Sequence, residues 1–234
     1  VVLGIPEYKQ RMSNKKVQLH LAQKPMEIEQ SSLGIIDREV PEPRPFQGVE
    51  WEVVRRMIHT TADFELLDLV CFHPRAVEAG VQALAGGARI VTDTHMARVG
   101  IPLRRMEPLR CVVECLMTDP EVAQRAQRER TTRARAAVDM ILERDVQRAD
   151  PAPRIWVVGN APTALMRLLE HIHSGATCPA LVVGMPVGFV NAAESKQLLQ
   201  AQDRVPFVTI QGRKGGSALA ACVVNALADV ALRS

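Results

Sequence analysis

Histidine is the side chain best suited to moving protons near neutral pH, and one of the six in this chain stands apart. His59 closes a stripe of Val49, Val53, Val54, Met57 and Ile58 at helical spacing, and Thr60, Thr61 and Asp63 follow it as hydrogen-bond partners. The other five suggest less. His20 lies beside a basic leading stretch, His73 precedes Pro74 in a turn, and His171 and His173 sit near a helix C-terminus. His95 follows a strand end, from which it could reach a ligand. No pair has HExxH or comparable metal-ligand spacing, and no GxSxG elbow supports a serine nucleophile.

The remaining candidates lie in four loops, each just beyond an apolar run: Asp93-Thr94-His95-Met96, GNAPTAL (159–165), GMPVGFVNAAESK (184–196) and GRKGGS (212–217). Three of them combine glycine with polar residues and then open a helix, so backbone N–H groups and a helix N-terminus can face an anion. GRKGGS lacks the GxxxxGK[ST] pattern, and no GxGxxG follows a strand. A nucleotide phosphate is therefore disfavoured, and carboxylates become the better candidates. Lys196, Arg213, Lys214 and Arg133 are the nearby cations.

Positioning those loops requires a sheet. Five short runs rich in β-branched residues, 88–92, 111–117, 154–158, 180–183 and 206–210, read as strands. Helical periodicity occupies 119–147, 161–173, 190–201 and 216–232. Continuous rather than alternating hydrophobicity marks strands covered on both faces. The expected fold is α/β, a three-layer α/β/α arrangement with a mainly parallel sheet of about five strands. Ahead of the sheet, Pro25 suits the first position of a helix, PEPRP (41–45) is an extended linker, and the His59 stripe forms a second helix. Another helix is expected near Thr61, and one from Pro74 to the Gly86-Gly87 stop. In such sheets ligands bind beyond the carboxyl ends of the strands, where these loops lie.

Composition excludes several classes. The net charge of +3 over 234 residues is too small for a nucleic-acid footprint, and no apolar run is long enough to span a membrane. The first 24 residues carry Lys9, Arg11, Lys15, Lys16 and Lys24 against Glu7, so the other 210 are close to neutral. Residues 1–24 thus read as a flexible basic arm without secretory features, and 25–234 as a single domain. The five cysteines are odd in number and scattered, mostly among apolar residues, which suits a reducing, cytoplasmic setting.

MIHTTAD (57–63), DTHM (93–96), TTRARAA (131–137), GNAPTAL, MPVGFVNAAESK (185–196) and GRKGGSALAA (212–221) occur in this order. Together they closely resemble the precorrin-8X methylmutase family of corrin (vitamin B12) biosynthesis, from about Pro25 to Ala228. The resemblance implies a cofactor-independent isomerase, a homodimer with its active site near the subunit interface. It implies that precorrin-8X or cobalt-precorrin-8 is the substrate, and that a methyl group moves from carbon 11 to carbon 12. The product would be hydrogenobyrinic acid, or cobyrinic acid when cobalt is present. His59 matches the family's proposed acid. Ser32, Thr94, Arg133, Asn160, Thr163, Lys196 and Ser217 match motif positions and are the implied substrate-binding residues. Ser31-Ser32-Leu33 departs from the Arg-Ser-Phe of many members, His95 inherits no role, and the basic arm lies outside the pattern. A corrinoid carrier without catalysis and a nucleotide-dependent α/β enzyme are the alternatives.

Overall fold

A computed structural model describes residues 25–40, 42–148 and 152–233; the basic arm expected over 1–24 lies outside them. The chain opens with α1 (Pro25–Glu39) and α2 (Gly48–Thr61), then α3 (Leu66–Leu69), β1 (Val70–Phe72) and α4 (Ala76–Ala85). Next come β2 (Arg89–Thr92), α5 (His95–Gly100), α6 (Leu103–Met106), β3 (Val112–Glu114), α7 (Pro120–Arg128) and α8 (Arg133–Arg148). The last part alternates β4 (Arg154–Val158), α9 (Pro162–His173), β5 (Leu181–Gly184), α10 (Ala192–Gln200), β6 (Phe207–Ile210) and α11 (Ser217–Ala231).

The sheet has six strands in the order β1-β6-β5-β4-β2-β3 among the described residues, and every pair but β1–β6 is parallel. The α/β class and the mainly parallel sheet are as expected. The sixth strand is not. β1 is three residues long and squeezed between α3 and Pro74, too short to register as an apolar run. The helix expected to begin near Thr61 begins only at Leu66, as the single turn of α3. Thr60 and Thr61 donate their hydroxyls back to the carbonyls of Arg56 and Met57, and Ala62 turns left-handed at φ 53°, which ends α2. The single helical stretch expected over 119–147 is two helices, divided where Arg130 takes φ 50° and Thr132 caps α8 at the Arg135 N–H.

Both faces of each inner strand are apolar, as continuous hydrophobicity implies. Ile90, Ile155, Val157, Leu181, Val183 and Val208 point to one side, where α1, α2, α4, α5 and α11 pack. Val91, Trp156, Val158, Val182 and Phe207 point to the other, against α8, α9 and α10. The first layer is organised by α11, which has eleven buried residues and packs on α2, α4 and α5.

Between α8 and α9 an ionic cluster lies beside the apolar packing. Asp139, only 7% exposed at its side chain, accepts from Arg167 Nε and pairs with His171 Nε2, each at 2.6 Å. Burial pushes the Asp139 carboxyl up, but the bonds from Arg167 and His171 outweigh it and hold its pKa below the usual carboxylate range. A depressed carboxylate contributes stability that is complete above its unfolded pKa and is lost as pH falls through the folded value. Asp139→Ala is therefore expected to cost about 1–3 kcal/mol at pH 7, by leaving Arg167 Nε and His171 Nε2 without their shared acceptor. The gap from wild type should shrink below about pH 4 in urea titrations run across pH.

Candidate active site

The winding of the sheet reverses between β2 and β4, because β3 lies on one side of β2 while β4, β5 and β6 extend on the other. Such a reversal opens a crevice at the carboxyl ends of the two strands. The loops that leave it are Asp93-Thr94 and Gly159-Asn160-Ala161. Thr94 is the N-cap of α5, accepting from the Ala97 N–H at 3.0 Å, and its Oγ1 lies 2.7 Å from Ser217 Oγ at the start of α11. Gly159 lets its own loop come close to the start of α11: a Cβ there would stand 2.6 Å from Ser217 Cα.

The anion facing the 159–161 loop belongs to the chain itself. The Asp93 carboxylate accepts from the backbone N–H groups of Gly159, Asn160 and Ala161 at 2.9, 2.8 and 2.7 Å. Burial pushes the Asp93 pKa above the usual carboxylate range, and the three N–H donors pull against that shift. These groups are thus occupied, contrary to the expectation that they face a ligand. Asp93 was not singled out by sequence, although a carboxylate directly after a strand and opposite a glycine loop was the available signal. The other two glycine loops hold each other. Gly188 donates to Arg213 O at 3.2 Å and Gly216 to Met185 O at 2.9 Å. The approach at Gly215 is so tight that a Cβ would sit 2.2 Å from Met185 O.

His59 stands in the last turn of α2 with an exposed ring, and its Nδ1 lies 2.8 Å from Ser32 Oγ of α1. That contact occupies one ring nitrogen and leaves Nε2 to meet a ligand; a charged ring donates to Ser32, and a neutral one can accept from it. His59 borders a cavity of about 260 Å³ lined also by Arg56, Thr60, Gly100, Arg105, Ala218, Ala221, Cys222 and Asn225. Asp229 ties its two guanidiniums together, 2.8 Å from Arg56 and 2.7 Å from Arg105. Arg56 also meets Glu29 at 3.0 Å, one helical turn before Ser32, so α1 is fastened to α2 beside the imidazole. Arg56, Arg105 and Asn225 were missed because their helices carry no motif that marks them.

Six of the eight sequence candidates fall along this edge. Ser217 precedes Ala218 of the His59 cavity and touches Thr94. Asn160 is exposed, with its backbone held by Asp93. Thr163, in the first turn of α9, bonds Thr132 at 2.9 Å, which places exposed Arg133 at the start of α8 nearby. The remaining two differ. Ser32 is committed to His59, and Lys196 is fully buried in α10 with its Nζ donating to Lys214 O at 2.5 Å. The Lys214 side chain reaches Asp63 and Glu65 beyond the His59 helix, which lowers the Asp63 pKa, while Arg213 stacks over Phe189.

A sequence profile of the precorrin-8X methylmutase family matches residues 27–230. The chain belongs to that family. It is 40% identical over 211 residues to the cobalt-precorrin-8 methylmutase of Priestia megaterium, covering 90% of each. It is 42% identical over 213 residues to that of Salmonella typhimurium, covering 89% of this chain and 97% of the relative. A crystal structure of the Thermus thermophilus precorrin-8X methylmutase superposes with a TM-score of 0.80 at 44% identity, covering 89% of this chain and 97% of that one. The matched span covers the four helices that line the His59 cavity, α2, α5, α6 and α11, to within a residue, and all four loops at the sheet edge.

Proposed function

We propose that this chain isomerises precorrin-8X or its cobalt form by moving a methyl group from carbon 11 to carbon 12, with His59 as proton donor. The observation that carries the reading is the His59 ring, held at Nδ1 by Ser32 with Nε2 left free beside a polar cavity, within a chain of this family. The reaction needs neither a nucleophile nor a redox group. One carbon–methyl bond breaks, one forms, and the migration stays within the substrate. Protonation of the macrocycle by His59 withdraws electrons from the conjugated system and favours the shift. Return of a proton to His59 leaves no net proton consumed. General acid catalysis of this kind gives about 10²–10⁴-fold.

The substrate is an apolar disc rimmed with acetates and propionates. Thr94, Asn160, Thr163, Ser217 and Arg133 lie along the sheet edge as polar anchors for that rim, while Ser32 holds the acid in place. The His59 cavity admits only a part of the disc. Phe189, Val190, Met96 and Val99 are each more than 70% exposed, beyond β5 or in α5. A homodimer that covers these side chains and completes an apolar floor for the corrin is part of the proposal. No helix of the described residues is long and apolar enough to cross a membrane.

Single-turnover absorbance with precorrin-8X, and separately with its cobalt form, tests the reading. The substrate spectrum is expected to give way to that of the corrin product with at least one of them. A corrinoid carrier would bind either compound and leave its spectrum unisomerised. Ser32→Ala should lower kcat by about 2- to 10-fold, the worth of one hydrogen bond that orients the acid.

A further inference from the structure

The cavity beside His59 holds more positive charge than a proton donor alone requires. Its nine lining residues include Arg56 and Arg105 but no acidic side chain. Among the described residues the two guanidiniums share Asp229 of α11, which stands outside the lining, and Arg56 alone meets Glu29. Arg105 is the less satisfied of the two. Its Nε donates to Asp229 Oδ1 at 2.7 Å and its Nη2 to Oδ2 at 3.4 Å. The planar fork carries further donors, and those on Nη1 make no hydrogen bond among the described residues. Nor is Nη1 buried: the Arg105 side chain keeps 20% of its surface exposed, and that of Arg56 keeps 27%.

Size and neighbours narrow the ligand. Arg56 stands three residues before His59 on α2, so its guanidinium and the imidazole share one helix face. Asn225 donates its Nδ2 to Gly100 O at 2.8 Å and so closes another wall without adding charge. A volume of about 260 Å³ is too small for a corrin ring and ample for one acid arm of its rim. We infer that Arg105, with Arg56 beside it, binds one further peripheral carboxylate of the substrate and makes the enzyme specific for corrinoids that carry a free acid there. A carboxylate suits an arginine fork better than a neutral amide or ester does, because its hydrogen bonds are charge-assisted. The inference rests on the methylmutase reading, and neither arginine lies in the motifs that carry the family resemblance.

The test is Arg105→Gln in the whole chain, which removes the charge while Asp229 keeps its pair with Arg56. KM for precorrin-8X should rise about 10-fold with little change in kcat, because a hydrogen bond to a charged group is lost from binding. Asp229→Asn separates an anchor from a scaffold. It takes away the carboxylate that competes for both guanidiniums, so it should lower KM rather than raise it. A rise in KM as large as that of Arg105→Gln would mean that the pair only holds α6 to α11, and overturns the proposal. So does an Arg105→Gln variant with the wild-type KM.

Should either variant fail to fold, the wild-type chain decides. Labelling arginine with ¹⁵N gives an Arg105 side-chain signal, identified through its connection to the assigned backbone. The metal-free corrin product, added as its free acid until its absorbance change saturates, should shift that signal. An Arg105 signal left in place at saturation overturns the proposal. Failure of the methylmutase reading itself would appear as no turnover of precorrin-8X by the wild type, whereas failure of the anchor leaves wild-type turnover intact.

Discussion

His59→Ala is expected to lose turnover by about 10²–10⁴-fold while corrinoid binding persists. The size of the effect follows from the role. The imidazole supplies a proton to the reacting system, whereas the rim carboxylates are anchored elsewhere along the sheet edge, so affinity does not depend on the ring. Ser32 holds Nδ1 at 2.8 Å, and a substitution that keeps bulk but not acidity, His59→Phe, should be as inactive as alanine. The measurement is a pair of titrations: single-turnover rate from absorbance, and binding from the spectral shift of the bound corrinoid. A His59→Ala enzyme that isomerises substrate at the wild-type rate removes the acid from the account. A variant that loses binding and turnover together would make His59 an anchor instead.

The second large effect is structural. Asp93→Ala leaves the N–H groups of Gly159, Asn160 and Ala161 without their shared acceptor in a buried setting. Each buried unsatisfied donor costs about 1–3 kcal/mol, so a loss of about 3 kcal/mol or more is expected. For a chain of this size that lowers Tm by roughly 6–12 °C. Asp93→Asn keeps one acceptor oxygen and turns an N–H₂ group on the remaining donors, so it should fall between alanine and wild type. Both variants should also raise KM for precorrin-8X, because Asn160 and Thr163 follow directly from the loosened loop. A Tm within about 2 °C of wild type for Asp93→Ala would mean that water satisfies the loop as well as the carboxylate does.

What was legible in the sequence divides by the kind of signal. The strands at 88–92, 154–158, 180–183 and 206–210 were readable because burial on both faces leaves a continuous apolar run, and each is a strand within a residue or two. The helices α9, α10 and α11 were readable because Pro162 and the glycines at 215–216 punctuate their starts. β1 was not, since three residues carry no period and its pairing with β6 is a long-range event. The division between α7 and α8 was hidden for a different reason. The break at Arg130 depends on backbone conformation and a threonine cap, while the polar sequence around it keeps helical spacing.

The site shows the same split. His59 and the loop residues stood out by position after a helix stripe or a strand. Their supports did not, because Asp93, Arg56, Asp229 and Thr132 act through contacts 30 to 170 residues apart, roughly, that only the fold brings together. At residues 159–161 the expectation that a glycine loop faces a ligand anion failed for a related reason: sequence shows that a cluster of N–H groups exists, and cannot show that the Asp93 carboxylate already fills it. Lys196 is an implied substrate-binding residue by its motif position, and the fold buries its side chain in α10.

The proposed reaction carries a methyl group between neighbouring ring atoms within one molecule. Precorrin-8X carrying ¹³C at the carbon-11 methyl and at ring carbon 12, incubated with the purified chain and followed by ¹³C NMR, tests it directly. The methyl signal is expected to move and to acquire a one-bond coupling to carbon 12, with the label fully retained. A methyl signal that stays uncoupled at its original position, or label lost from the product, would contradict it.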